Sequence, residues 1–234
     1  MSLKIKGLQK TSLIDYPPYT CCVVFLSGCN FRCGFCHNPA LLVEVAKTPT
    51  IHEAEFFGFL EKRKRWLDAV CITGGEPCLY DELPDFIRKI KRLGYKVKLD
   101  TNGSNPDMLE GLIRSGLVDY IAMDIKGSLD EYDEIAGVAV DKEAIKRSVS
   151  LIMDGMADYE FRTTVLPRFH KEKDIIRIGE WLKGSKRFVI QQFRNDREML
   201  DSGFKEEVPY SLKELKRFRE ILAGFIDDVE IRNI

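Results

Sequence analysis

The sequence predicts an α/β fold, a partial (β/α)6 barrel of parallel strands finished by a C-terminal closing helix and strand. Three observations carry this. Short β-favouring apolar runs alternate with amphipathic stretches of helical period, as expected of βα units and a parallel sheet. No Pro/Gly/Ser-rich linker, low-complexity tract or clear short repeat interrupts the rhythm. Polar residues also gather at the carboxyl ends of successive candidate strands, where parallel α/β folds place their sites.

The candidate strands, in order, are Thr20–Leu26, Ala69–Thr73, Lys96–Asp100, Tyr120–Asp124, Tyr159–Leu166 and Phe188–Phe193. Between them lie candidate helices near Glu53–Leu67, Glu82–Leu93, Pro106–Ser115, Lys142–Met153 and Lys173–Lys183. In the second, Leu83, Phe86, Ile87, Ile90 and Leu93 share one face and Gly94 stops the helix. Six units are too few for the closed eight-stranded barrel, so the barrel is open or partial. After the polar stretch Arg194–Val208 come a helix, Ser211–Gly224, and a short run, Val229–Ile234, read as a closing element of the same domain. Residues 1–234 are thus read as a single domain with a core of about 18–194 and an extension over 195–234.

Composition narrows the function classes. Apolar residues make up 44% of the 234, enough for a core without disulfide staples. The net charge of −1 argues against a direct nucleic-acid partner, which would call for a basic excess. No apolar run approaches the length of a membrane span, and Met1–Lys6 lacks a signal-peptide core. A cytoplasmic chain with no membrane association is expected, its cysteines reduced or ligating metal.

Three of the seven cysteines fall within eight residues, Cys29-x3-Cys33-x2-Cys36, at the end of the first strand. Three thiolates so spaced can hold a metal or an iron–sulfur cluster and leave one position open, the mark of a reactive centre. Later strand ends carry Thr73-Gly74-Gly75-Glu76-Pro77, Asp100-Thr101-Asn102-Gly103, Asp124-Ile125-Lys126-Gly127, then Arg162 with Thr164, and Gln191 with Gln192. Singly, each reads as a turn pair or a surface ion pair; in register behind a three-cysteine loop they point to one site. Gly74 and Gly75 let a ligand approach the backbone, and Glu76 offers an acceptor for an ammonium group. Asp100 and Asp124 suit hydroxyls, an amine or a cation, while Lys126 and Arg162 suit a carboxylate. The implied ligand is an amino acid joined to a sugar.

With these residues assembled, the chain resembles the radical S-adenosylmethionine superfamily, through the cysteine spacing, Phe35 before the third cysteine, and Gly74-Gly75-Glu76-Pro77. Within it the chain is similar to glycyl-radical-enzyme activases. It most resembles activating proteins of anaerobic ribonucleoside-triphosphate reductase, through Gly7-Leu8-Gln9-Lys10-Thr11-Ser12-Leu13-Ile14-Asp15-Tyr16-Pro17, Gly28–Cys33, Cys36-His37-Asn38-Pro39 and Gln191-Gln192-Phe193-Arg194. The resemblance implies a [4Fe–4S] cluster on Cys29, Cys33 and Cys36, with the amine and carboxylate of S-adenosylmethionine on the fourth iron. It implies Gly74, Gly75 and Glu76 at the methionine amine, and Asp100 and Thr101 near the methionine end. Asp124 and Lys126 would lie near ribose and carboxylate, and Phe35 and Gln191 or Gln192 by the adenine. In some activases the aspartates matching Asp100 and Asp124 also hold a monovalent cation. The implied partners are a glycyl radical enzyme, the anaerobic reductase first, and a one-electron donor such as flavodoxin or ferredoxin. Two other targets stay open, another glycyl radical enzyme or a small molecule, as does a zinc-binding module on Cys29, Cys33, Cys36 and His37.

Other residues have plainer readings. Cys21, Cys22, Cys71 and Cys78 read as core thiols, though Cys78 adjoins the site and is a candidate for oxidation. His37 reads as loop packing or a hydrogen bond near the cysteines, His52 and His170 as surface residues, and Trp66 and Trp181 as packing. The run Lys62-Arg63-Lys64-Arg65 reads as a solvated helix face, with docking of an acidic partner or electron donor as the sharper alternative.

Overall fold

Among the described residues eight strands form one sheet, and their order across it is their order in the chain. In the computed structural model, which describes residues 3–43 and 47–233, β1 (Ile5–Ser12) runs antiparallel to β2 (Cys21–Leu26). Then come β3 (Ala69–Gly74), β4 (Lys96–Thr101), β5 (Tyr120–Asp124), β6 (Asp158–Val165), β7 (Arg187–Gln192) and β8 (Asp228–Arg232), each parallel to the strand before it. Parallel neighbours need crossovers. These are supplied by α1 (Glu53–Arg63), α2 (Leu83–Arg92), α3 (Pro106–Arg114), the pair α4 (Tyr132–Ala136) and α5 (Lys142–Asp154), α6 (Glu172–Trp181) and α7 (Leu212–Leu222). Every crossover returns the chain to the same end of the sheet, so the carboxyl ends of β2–β8 share one rim. Among the described residues the sheet does not close between β1 and β8, which gives the expected partial barrel.

The six predicted strands are β2–β7, with ends within one residue or so of the pattern. The closing strand is hydrogen-bonded into the same sheet as a seventh parallel strand. Two elements escaped the sequence pattern. β1 buries only Ile5 and Ser12 and owes its place to pairing with β2. α4 is a five-residue turn of helix, too short to show a period, ended by Gly137 at φ 70°. Met1, Ser2 and Ile234, which entered the reading of the termini, lie outside the described residues.

The two faces of the sheet differ in kind. Alternate residues such as Val97, Leu99, Ile121, Met123, Tyr159 and Phe161 join the main core beneath the helices. The residues between them, Lys98 and Asp100, Tyr120 and Asp124, Glu160 and Arg162, meet one another on the other face. At the amino ends of the strands a small cluster of Tyr16, Cys21, Val23, Ala69 and Cys71 forms a floor, with Tyr16 against Tyr19 and Tyr120. Cys21, Cys22, Cys71 and Cys78 are free and fully buried, as core thiols should be. No helix among the described residues is long and apolar enough to cross a membrane.

Three plainer readings need correction or refinement. His170, expected at the surface, is fully buried: Nδ1 accepts the Leu166 N–H at 3.1 Å, so Nε2 carries the proton and donates to the Lys126 carbonyl at 2.8 Å. Its sequence position before a helix hid this, because both partners come from the backbone. Trp66, expected to pack, is 71% exposed, whereas Trp181 meets Tyr132 edge to face at 6.4 Å. Lys62, Lys64 and Arg65 are exposed at the C-terminal end of α1. That is the amino end of β3, about 20 Å from the cysteine loop at ~3.3 Å per strand residue.

Burial lowers the His170 pKa below its ordinary 6.5, more than its backbone hydrogen bonds raise it. The unfolded chain therefore binds the extra proton first, and stability rises with pH through this window. The His170 contribution should be complete above about pH 6.5 and decline below it. Urea unfolding at about pH 7.5 and 5.5 should show a larger loss in the native protein than in His170→Gln; equal losses would contradict the buried neutral ring.

Candidate active site

The cysteine loop leaves β2 through Ser27, whose carbonyl accepts the Tyr80 hydroxyl at 2.5 Å. Gly28 turns the chain at φ 82° and its N–H reaches the Leu41 carbonyl at 2.8 Å. Further on, the Arg32 N–H donates to the Ala136 carbonyl, and the Arg32 side chain folds back onto the carbonyls of Cys29 and Phe31 at 2.6 and 2.8 Å. The stretch 194–207 lies across the loop. The Asp201 N–H donates to Gly34 O at 2.8 Å, and Phe204 packs against Phe35 and Phe169 at 6.0 and 5.9 Å. The polar stretch that precedes the closing helix thus lies against the cysteine loop.

The Gly-Gly-Glu-Pro turn leans on the same loop. A Cβ at Gly75 would stand 1.9 Å from Gly28 O, and one at Gly74 would stand 2.3 Å from Leu26 O. The turn is fixed there by the Gly75 N–H to Leu26 O and the Glu76 N–H to Gly28 O at 2.8 and 2.7 Å. The glycines therefore serve first to let two backbones touch. Glu76 departs from its expected place facing a ligand amine. It is fully buried, and its carboxylate accepts the Cys78 N–H at 2.9 Å, the Thr101 hydroxyl at 2.7 Å and the Asn102 N–H at 2.6 Å. Burial raises its pKa despite these three donors.

Across the carboxyl ends of β4, β5 and β6 runs a chain of alternating charge. Lys98 lies 3.2 Å from Asp100, and Arg162 spans Asp100 and Asp124 at 3.3 and 2.6 Å. Lys126 lies 3.3 Å from Asp124. Burial alone would raise the Asp124 carboxyl, but Arg162 and Lys126 more than offset it and hold it at about 2. Asp100 is also held below its ordinary value, burial being outweighed by Arg162 and Lys98. Burial pushes the Cys29 thiol up to about 11 and raises Cys33, so a cationic centre is what would draw these thiols into their thiolate form.

These groups line one cleft of about 250 Å³. Cys29, Cys33, Cys36, Phe35, Gly74, Gly75, Asp100, Thr101, Asp124, Lys126, Arg162 and Gln191 all stand on its wall; Glu76 stands behind it, and Gln192, the alternative to Gln191, is turned to the Tyr210 carbonyl instead. Asn102, Thr164 and Asn38 also line it; the sequence placed them in the strand-end and cysteine-loop motifs but assigned them no role. Asn102 had a signal, the Asn-Gly pair after β4, but such pairs are usual in turns. His37 also lines it, but its pKa is lowered by burial and Nε2 donates to Arg194 O at 3.0 Å. Its ring stacks on Phe193, so it is committed away from the thiols.

The donor set suits a cluster better than a single ion. Among the described residues no group of three His, Cys, Asp or Glu side chains is drawn together closely enough for one metal ion. A cluster asks for one thiolate per iron, set further apart, and cysteine is its usual ligand. The carboxylates Asp100 and Asp124, by contrast, are already bridged by Arg162, so the monovalent-cation expectation does not fit this arrangement.

Fold and site together define a radical S-adenosylmethionine enzyme. The chain belongs to that superfamily, whose family model matches residues 23–182, and with it come a [4Fe–4S] cluster and S-adenosylmethionine as cofactors. One relative is a protein of Methanocaldococcus jannaschii provisionally named a glycyl-radical enzyme activating enzyme, 35% identical over 100% of this chain and 98% of its own length. Another is the pyruvate formate-lyase-activating enzyme of Listeria monocytogenes, 33% identical over 53% of each chain. The chain therefore spans about half of that relative. Among solved structures, Streptococcus suis SuiB bound to its precursor peptide SuiA matches with TM-score 0.67 and 16% identity, over 89% of this chain and 48% of that one. A domain of pyruvate-formate lyase-activating enzyme from Bacteroides vulgatus matches with TM-score 0.54 and 18% identity, over 70% and 99%. At such identities the two structures speak for the fold.

Arg162→Met should destabilise the protein by about 3 kcal/mol in urea unfolding, the lower end of the cost of breaking a buried pair, because Asp124 keeps one side open to the cleft. Adding Asp100→Asn should recover part of that loss. A single-variant change within ~0.5 kcal/mol, the range of ordinary surface substitutions, would show that the carboxylates do not depend on Arg162.

Proposed function

We propose that this chain is a glycyl-radical-enzyme activase whose target is an anaerobic ribonucleoside-triphosphate reductase. The observation that carries the reaction class is a single cleft lined by three thiols together with Asp124, Lys126 and Arg162. Cofactor chemistry of this superfamily is one-electron cleavage of the sulfonium carbon–sulfur bond followed by hydrogen abstraction from the target.

The chain's own residues bind, orient and exclude water. Cys29, Cys33 and Cys36 hold the cluster. The backbone of Gly74 and Gly75 receives the methionine amine, Lys126 and Arg162 its carboxylate, and Asp100 and Thr101 stand nearby. Asp124 meets the ribose, and Phe35 with Gln191 flanks the adenine. Phe35 is held by Phe169 and Phe204, so the strap over residues 194–207 keeps the adenine side of the cleft dry. Residues 1–234 act as one domain, in the cytoplasm, where the four cysteines outside the cluster, Cys21, Cys22, Cys71 and Cys78, stay reduced. The electron comes from a flavodoxin or ferredoxin. The target rests on the resemblance of Gly7–Pro17, Cys36–Pro39 and Gln191–Arg194 to reductase activases, and on the relatives named for glycyl-radical activation.

Anaerobic reconstitution should give a brown protein containing iron and sulfide. Dithionite with S-adenosylmethionine should then yield 5′-deoxyadenosine and methionine, and Cys33→Ala should reduce both to background. No 5′-deoxyadenosine from the native protein would refute the reaction class. Mixed with the reductase, the reduced enzyme should produce a glycyl doublet in electron paramagnetic resonance. Turnover of S-adenosylmethionine without that doublet would remove the reductase as target and favour another glycyl radical enzyme or a small molecule.

A further inference from the structure

The loop after β4 reaches the cysteine sulfurs through one side chain, that of Asn102. Asn102, only 5% exposed, points its amide nitrogen at the Cys29 sulfur, 3.8 Å away, and at Asn30 Oδ1, 2.9 Å away. The Cys29 sulfur also receives the Phe31 N–H at 3.4 Å. The orientation of the amide is fixed by its other end, because Asn102 Oδ1 accepts the Ser104 N–H at 2.9 Å. A backbone amide can only donate, so oxygen must face Ser104 and the NH2 group must face the sulfur. The backbone of Asn102 is anchored in turn by Glu76 at 2.6 Å, and Asn30 donates onward to the Ser104 hydroxyl at 2.9 Å. No part of this side chain is free to turn away.

Two N–H groups aimed at one sulfur place positive dipole ends where negative charge accumulates when an iron–sulfur cluster takes up an electron. Such hydrogen bonds favour the reduced state and raise the reduction potential. Their effect is larger where water is excluded, as it is at Asn102. We propose that Asn102 is a positioning residue that makes the cluster easier to reduce, by donating a hydrogen bond to the sulfur of Cys29. The inference rests on the reading of Cys29 as a cluster ligand. It also explains why the Asn-Gly turn after β4 is tied to the Gly-Gly-Glu-Pro turn through the buried Glu76 carboxylate: the tie sets the amide at the sulfur.

The test is an anaerobic redox titration of the reconstituted protein, followed by electron paramagnetic resonance of the reduced cluster. Asn102→Ala removes the donor, and Asn102→Asp removes it while keeping the acceptor for Ser104 and adding negative charge. Both should lower the midpoint potential, Asp further than Ala. Ser104→Ala, which loosens Asn30 without touching either donor to Cys29, should keep the native midpoint. A merely structural role for Asn102 would change cluster content or unfolding but leave the midpoint where it was, and an unchanged midpoint in Asn102→Ala overturns the proposal. Should neither variant load a cluster, the native protein labelled with 15N-asparagine decides: electron–nuclear double resonance of the reduced cluster should show a 15N coupling, and its absence overturns the proposal. A native protein that assembles no cluster at all would refute the reading of the site itself, an outcome distinct from a loaded cluster indifferent to Asn102.

Discussion

The Glu76 carboxylate knots together loops that are far apart in sequence, and the geometry of the site depends on it. Its own backbone N–H holds the start of the cysteine loop at Gly28. Its carboxylate takes the hydroxyl of Thr101 and the N–H of Asn102, both from the loop after β4. A buried carboxylate would be costly without partners, so these donors are required by the fold as much as by any chemistry. The contact closes only because Gly74 and Gly75 have no side chain: β3 ends against the backbone of Leu26 and Gly28, where a Cβ would collide. Rigid registration of three strand ends follows from one acid and two glycines.

The concave face of the sheet shows a second economy. A partial barrel with a fully apolar interior would leave nothing at its rim to bind a charged ligand. Here the interior is paired charge, from Arg232 on Glu160 near one end to Lys126 on Asp124 at the other. Each acid is matched by a base, so the charge is retained at modest cost. The apolar residues that stabilise the fold lie on the opposite side, under the helices. Stability and binding are thus assigned to opposite faces of the same strands, by the two-residue period of the β conformation.

Much of this was legible in the chain. Six parallel strands, the helices between them and the rim that gathers the polar motifs all follow from period and punctuation. The cysteine triplet and the strand-end acids and bases were recognisable by residue type and spacing, Phe35 through the family resemblance, and they meet in one cleft. What escaped had a common cause. His170, Glu76 and Asn102 are polar residues whose partners are backbone groups or side chains distant in sequence, and no local pattern marks such partners. β1 escaped because an edge strand is held by its neighbour, and the role of residues 194–207 because a strap without period carries no signature.

Sequence by itself determined which chemistry the chain can host: three thiols at cluster spacing, a glycine turn, and carboxylates with matching bases at successive strand ends. Those properties are local, set by residue type and by periods of two and 3.6 residues. Tertiary structure alone decided which of these groups face the cleft and which support it. It turned Glu76 inward, bridged Asp100 and Asp124 with Arg162, drew the C-terminal stretch over the cysteines and aimed Asn102 at Cys29. Each of these depends on groups dozens of residues apart being brought within hydrogen-bonding reach, and only the packed sheet with its crossovers does that.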